Sequence, residues 1–416
     1  LTFRTAMNND RPWGSMVSDA HKTACRKIGE EGIVLLQNNA NLLPINLSKV
    51  KRIAVIGENA IKMMTVGGGS SSLKVKYEVT PLEGLKKRIG EQAEIIYARG
   101  YVGDPTGEYN GVKTGQNLKD DRSPKELRTE ALQVASNADI VLFIGGLNKS
   151  EYQDCEGTDR KTMDLPYNQN ELIMDLLQVN KKLVVINISG TGVAMPWKNH
   201  VSTILQAWYL GSETGNALAS ILMGDVNPSG KLPYTYYACL NQCGAHKLGE
   251  YPGHKGMDVL GNKVYDIPYN EGLFVGYRFI DKNKLKPNFP FGHGLSYTTF
   301  EYGKAKVNSK AIEKSEKLYI TIPITNTGNR AGAEVVQLYI KCLNSSVIRP
   351  IKELKGFCKV ELQPNETKEI SFTITAEELS FFDEKQHKWI AEPGKFEALM
   401  ASSSADIRSK VCFELK

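Results

Sequence analysis

Between residues 50 and 210 short apolar runs alternate with helix-patterned stretches, and this alternation limits the possible folds more than any other feature of the chain. The apolar runs cover residues 52–57, 93–98, 140–144, 183–187 and 202–208. They are largely continuous rather than alternating, which predicts strands covered on both faces. Helical patterns fill the intervals at 81–89, 125–136, 168–179 and 215–223. Strand–helix alternation builds a mostly parallel sheet flanked by helices, an α/β sandwich, and such sheets bind ligands at the carboxyl ends of their strands.

The flanks read differently. Residues 18–38 predict a helix, with Ser18 as its cap and Ala20, Ala24 and Ile28 on one face, running into an apolar stretch from Gly32 to Asn38 that suits a short strand or a helix end. Residues 1–16 show no periodicity and read as a connector. Residues 231–299, rich in Tyr, Gly and Pro, read as an ordered connector. After Phe300 the period changes to two, with strands at 318–325, 334–340, 367–374 and 394–400 and turn residues such as Gln363-Pro-Asn365 between them. About seven short strands in ~100 residues predict an all-β, immunoglobulin-like sandwich.

Several functions are disfavoured at once. A net charge of +6 over 416 residues, with scattered basic residues, argues against nucleic acid as a partner. No apolar stretch approaches the roughly 20 residues of a membrane helix. The seven cysteines lack zinc-site spacing, so no metal is expected and the thiols should be mostly free and buried. Gly57 and the Gly67-Gly-Gly-Ser-Ser-Ser72 loop do not make a dinucleotide fingerprint, and Asn148-Lys149-Ser150 lacks the glycine of a phosphate-binding loop. Gly68, Gly69 and Ser70 suit another role, closing over a polar substrate with backbone and hydroxyl donors.

The run ending in Ile144-Gly-Gly146 opens into a polar loop, residues 147–160, with four carboxylates, Glu151, Asp154, Glu156 and Asp159, and Arg160 beside them. Crowding of this kind can keep one carboxyl protonated near neutral pH while its neighbours ionise. The competing reading is a solvated acidic loop.

Longer motifs carry a resemblance. Gly29-Glu-Glu-Gly-Ile-Val-Leu-Leu-Gln-Asn38 with Leu43-Pro44, Val79-Thr-Pro-Leu-Glu-Gly84, Gly224-Asp-Val-Asn-Pro-Ser-Gly-Lys-Leu-Pro233 and Pro290-Phe-Gly-His-Gly-Leu-Ser-Tyr297 resemble, in order, the second domain of family 3 glycoside hydrolases. Asn326-Thr-Gly328, Val335-Val-Gln-Leu-Tyr339 and Pro350-Ile-Lys-Glu-Leu-Lys-Gly-Phe357 are similar to the fibronectin-III-like domain that follows in those enzymes. The resemblance implies a retaining, exo-acting β-glycosidase without cofactor, a β-glucosidase before a β-xylosidase, acting on an oligosaccharide or aryl β-glycoside. A non-catalytic carbohydrate-binding or structural module is the alternative.

Enzymes of this family begin with a (β/α)8-like barrel that carries the nucleophilic aspartate. The chain is therefore expected to be a C-terminal portion, inactive alone, whose partner is the N-terminal barrel portion. The expected divisions are a linker and leading helix over 1–40, the α/β sandwich over 41–245, a connector over 246–300 and the fibronectin-III-like domain over 301–416. Family habit places such enzymes in the periplasm or outside the cell and leaves a homodimer open. The family's acid/base pattern, an acidic residue followed by Gly, a variable residue, Asp and Arg, matches Glu156-Gly-Thr-Asp159-Arg160. Glu156 is thus the acid/base candidate and Glu151 the alternative. Asp159 and Arg160 are read as a structural pair, His293 as a packed histidine, and Trp208 and Tyr209 as core residues or a sugar-stacking platform.

Overall fold

The computed structural model describes residues 7, 8, 10, 14–103 and 114–416. The expectation for residues 1–16 falls mostly outside them. Six strands, β1 (Val34–Asn38), β2 (Arg52–Ile56), β3 (Glu94–Ala98), β4 (Ile140–Gly146), β5 (Leu183–Ile188) and β6 (Thr203–Gln206), form one sheet in the order β1-β6-β5-β4-β2-β3. All neighbours are parallel except β1, which runs antiparallel along β6. The apolar stretch after Gly32 is therefore an edge strand and not the end of the helix before it.

Five helices accompany the sheet: α1 (Asp19–Gly32), α2 (Pro81–Ile89), α3 (Pro124–Ser136), α4 (Gln169–Val179) and α5 (Thr214–Met223). Proline at the first helical position and a reciprocal capping box start α2 (Thr80 with Glu83) and α3 (Ser123 with Glu126). Alternate strand residues serve two separate cores. Val141 and Phe143 of β4 join the α3 and α4 side with Ala131, Leu172 and Leu176. Leu142 and Ile144 join the α2 and α5 side with Leu85, Ile89 and Leu218. A strand with a core on each face has no position free for a polar residue, hence the continuous apolar runs.

The C-terminal part is a pair of facing sheets. One holds the strands Leu318–Asn326 and Thr367–Ile374; the other holds Gly332–Cys342, Glu353–Leu362, Gly394–Ser403 and Asp406–Leu415. Strict in–out burial along Leu318–Asn326 supplies Leu318, Ile320, Ile322 and Ile324 to the core between the sheets. Two of these strands escape the sequence reading. Glu353–Leu362 buries only Val360 and Leu362, and Asp406–Leu415 only Phe413 and Leu415. The seven cysteines are free, as expected, but none is buried: each is intermediate or exposed.

The sandwich and the fibronectin-like part are clasped by Lys231–Glu334 (2.8 Å) and by Arg330 donating to the Gly224 carbonyl (2.8 Å). Between α2 and α5 the backbones nearly touch: a Cβ on Gly84 would lie 2.1 Å from the carbonyl of Gly215. Gly84→Val should therefore force the two helices apart and destabilise the chain by about 3 kcal/mol or more. Urea unfolding should show this as a lower midpoint, and an unchanged midpoint would refute the close-packed crossing.

Candidate active site

The carboxyl ends of β4, β5 and β6 converge on the acidic loop. Strand β4 ends at Gly146, whose φ of +123° is open to glycine and rarely to other residues. A Cβ there would stand 2.2 Å from the Ile188 carbonyl oxygen. Gln169, fully buried at the start of α4, accepts from the Gly146 N–H and donates to the Gly146 carbonyl, both at 2.8 Å. Asn59 then donates to the Leu147 carbonyl (2.9 Å), so the first residue of the loop is fixed from the β2 side.

The four carboxylates have separate surroundings. Asp154 accepts from the Gly190 N–H (2.6 Å), the Thr191 hydroxyl and the Tyr209 hydroxyl (2.9 Å), tying the loop after β4 to the segments after β5 and β6. Burial first, and Asp154 second, push the Tyr209 hydroxyl well above its ordinary pKa, so Tyr209 stays a donor. Asp159 accepts from the Tyr251 hydroxyl. Glu151 is exposed and makes no hydrogen bond among the described residues.

Glu156 is exposed as well, yet it is held. Its carboxylate accepts from the Ser70 N–H at 2.6 Å, and its own N–H donates to the Gly68 carbonyl at 3.1 Å. Gly68 in turn donates to the Lys149 carbonyl at 2.7 Å. The loop before α2 and the loop after β4 thus form one structure. Gly69 has a φ of +97°, and a Cβ there would fall 2.4 Å from the Glu156 Cβ, so the contact requires glycine. Gly68, Gly69 and Ser70, expected to meet substrate, lie directly against the acid/base candidate. The Ser70 hydroxyl first, and its N–H second, hold the Glu156 carboxyl below the ordinary glutamate range. Burial lowers the pKa of Lys149, which sits behind this loop.

Other expectations resolve differently. Asp159 and Arg160 do not pair with each other: Asp159 takes the Tyr251 hydroxyl, while Arg160 donates to the Gly192 carbonyl. Trp208 donates to the Gly32 carbonyl (2.8 Å) and packs on Tyr234, a structural role. His293 is bonded to the Leu36 carbonyl (2.8 Å) and stacked on Phe289, and burial keeps its pKa low. The sequence reading missed Gln169, Tyr251 and the anchoring role of Asp154. Tyr251 reaches the loop from a distant segment, and no local pattern signals that. Asp154 was visible only as one carboxylate among four.

A cavity of about 590 Å³ lies inside the loop, lined by Asp154, Asp159, Arg160, Thr191, Tyr209 and Tyr251 among others. Glu156 and Glu151 are not among its lining residues. Among the described residues no group of three or more His, Cys, Asp or Glu is placed to hold a metal.

Comparison with known proteins adds the family. Residues 33–297 match the model of the glycosyl hydrolase family 3 C-terminal domain, and residues 334–404 match that of the fibronectin type III-like domain. The chain is 47% identical to a β-glucosidase of Bacteroides ovatus, covering 100% of this chain and 54% of that relative. It is 35% identical to a β-xylosidase of Formosa agariphila, covering 96% of this chain and 51% of the relative. The crystal structure of a family 3 β-glucosidase from Bifidobacterium adolescentis superposes with a TM-score of 0.84 at 33% identity, covering 99% of this chain and 55% of that one. The chain thus spans about half the length of the relatives it matches.

Glu156 should titrate below the model-peptide glutamate value of about 4.3. A depressed folded-state pKa contributes stability above the unfolded value and loses it as pH falls through the folded one. Carbon-detected NMR titration should show this, with Ser70→Ala moving the midpoint upward. A midpoint in Ser70→Ala equal to that of the parent chain would exclude the Ser70 hydroxyl as the cause.

Proposed function

The chain belongs to glycosyl hydrolase family 3 through its C-terminal domain, and from that premise we propose that it supplies the acid/base half of a retaining, exo-acting β-glycosidase site with Glu156 as the proton carrier. One observation supports this most directly. Of the four loop carboxylates, Glu156 alone is both exposed and fixed by a backbone donor. Asp154 and Asp159 are occupied as anchors, and Glu151 is exposed but unheld.

Retaining hydrolysis uses two carboxyl groups about 5–5.5 Å apart. The nucleophilic aspartate comes from the barrel portion that family enzymes carry, and this chain alone is proposed to be inactive. Glu156 would give its proton to the glycosidic oxygen as the sugar–oxygen bond breaks and the aspartate bonds to the anomeric carbon. It would then take a proton from the water that releases the sugar. The low pKa of Glu156 fits the second step and opposes the first. A neighbouring ionised aspartate removes the conflict: it raises the Glu156 pKa before attack, and its charge vanishes once it is bonded to the sugar. The Gly68-Gly-Ser70 loop is proposed to line the substrate side of Glu156.

The sugar is proposed to be a β-linked glucose, following the Bacteroides and Bifidobacterium relatives, with xylose second in view of the Formosa enzyme. The cavity, whose lining residues do not include Glu156, favours a second reading, a non-catalytic carbohydrate-binding module. In that case isolated chain would bind glucose or cellobiose equally well with and without Glu156→Ala.

In the full-length enzyme Glu156→Ala should slow disaccharide hydrolysis by about 10²–10⁴-fold, the usual worth of a general acid. Aryl glycosides with good leaving groups should suffer less, and azide should partly restore turnover. Full activity of Glu156→Ala on a disaccharide, with loss in Glu151→Ala, would move the role to Glu151.

A further inference from the structure

Both carboxylates that line the cavity inside the acidic loop are already provided with donors. Asp154 accepts from the Gly190 N–H (2.6 Å), the Thr191 hydroxyl and the Tyr209 hydroxyl (2.9 Å), and Asp159 accepts from the Tyr251 hydroxyl. The cations of the same wall lack such partners. Lys149, Arg160 and Lys161 line the cavity, and none of them forms an ion pair among the described residues. Lys161 lies over the Tyr152 ring, 5.5 Å from its centre. Arg160 uses Nη2 on the Gly192 carbonyl and leaves Nη1 without an acceptor.

Lys149 is the clearest case. Its ammonium makes no hydrogen bond among the described residues, and burial lowers its pKa. An ammonium that has lost water without gaining an acceptor behaves in this way. Glu78 acts on it only through space, because the Glu78 carboxylate is bonded to the Met64 and Thr65 N–H groups at 2.6 and 3.1 Å. Three cations thus face two carboxylates, and it is the cations that lack partners. An anion complements such a wall, since it gains charge-assisted hydrogen bonds there and restores what Lys149 lost on burial.

We propose that this cavity binds a saccharide carrying an anionic group, a uronic acid carboxylate or a sulfate ester, with Lys149 and Arg160 as its counter-charges. That the ligand is a sugar rests on the proposed function; that it is charged follows from the wall alone. Two observations join the cavity to the sugar-binding side of the loop. Ser71 lines it, directly after the Gly68-Gly-Ser70 loop proposed to meet substrate. Lys149 lies against Gly68 of that loop, where a Cβ would stand 2.5 Å from the Lys149 Cε. Tyr209 and Tyr251 add ring surface for the apolar face of a pyranose. The volume of about 590 Å³ falls within the ~300–1,000 Å³ usual for small-molecule sites.

Calorimetric titration of the full-length enzyme tests this with glucuronate, glucose 6-sulfate, glucose and inorganic sulfate as probes. Lys149→Met should weaken binding of at least one sugar anion by about tenfold or more, the usual worth of a hydrogen bond to a charged group. Glucose affinity should change less than about twofold, and Lys149→Arg, which keeps the charge, should retain the sugar anion. Glucuronate and glucose 6-sulfate differ in the source of the anion, so the tighter of the two names it. Sugar anions that fail to bind the parent enzyme, or bind Lys149→Met as tightly, would overturn the proposal. So would an equal loss for glucose, which would mean damage to the loop, or inorganic sulfate bound as tightly as the sugar anions, which would mean an ion site only. Binding requires no turnover, so failure here leaves Glu156 as acid/base untouched, and failure of Glu156 leaves the titration readable.

Discussion

The pair of hydrogen bonds between the Gln169 amide and the backbone of Gly146 fixes where β4 stops, and the acidic loop takes its position from that point. A backbone N–H and C=O buried at the end of a strand must be paired, because leaving either without a partner costs about 1–3 kcal/mol. Gly146 is still in register with Ile188 of β5, but β2 on the other side pairs with β4 only as far as Ile56 opposite Phe143, so a side chain substitutes for that strand. Gln169 also donates to the Pro166 carbonyl (3.0 Å), which binds the far end of the acidic loop to its beginning. The loop is therefore closed at its base, and only its middle, with Glu151 through Asp159, projects beyond the sheet.

Within that middle the carboxylates divide the work by what donates to them. Asp154 collects one N–H and two hydroxyls from two different segments, which is a good reason for an anion to be partly buried and a poor arrangement for a proton carrier. Asp159 is committed to Tyr251. Glu156 is left with a donor on one side and solvent on the other, and the Gly69 contact holds it close to the Gly/Ser loop. The anchors fix the loop and the exposed glutamate carries the charge that chemistry can use.

The fold was legible to the extent that burial is two-sided or regular. Continuous runs such as 140–144 marked β4 because both faces of that strand meet a core. Strands with few inward residues, such as Asp406–Leu415, left little pattern to read. The antiparallel β1 was ambiguous because five residues fit a strand or a helix end equally well. In the site, local sequence was enough to single out the acidic loop and to offer Glu156 as its acid/base candidate. It could not supply Tyr251 or the Ser70 contact, because both arise from segments brought together only by the sheet.

The Ser70 contact also bears on the acid/base role proposed for Glu156. A glutamate kept ionised by a fixed donor is a stable surface group, and it does not weaken the chain that carries it. The same donor makes it hold a proton less readily, an effect that a second negative charge within a few ångströms would oppose. In the proposed mechanism, protonation is thereby favoured by the approach of the second carboxylate. An acid/base residue so proposed holds its proton most readily where the nucleophile is also in place, so the two carboxyl groups work as a pair.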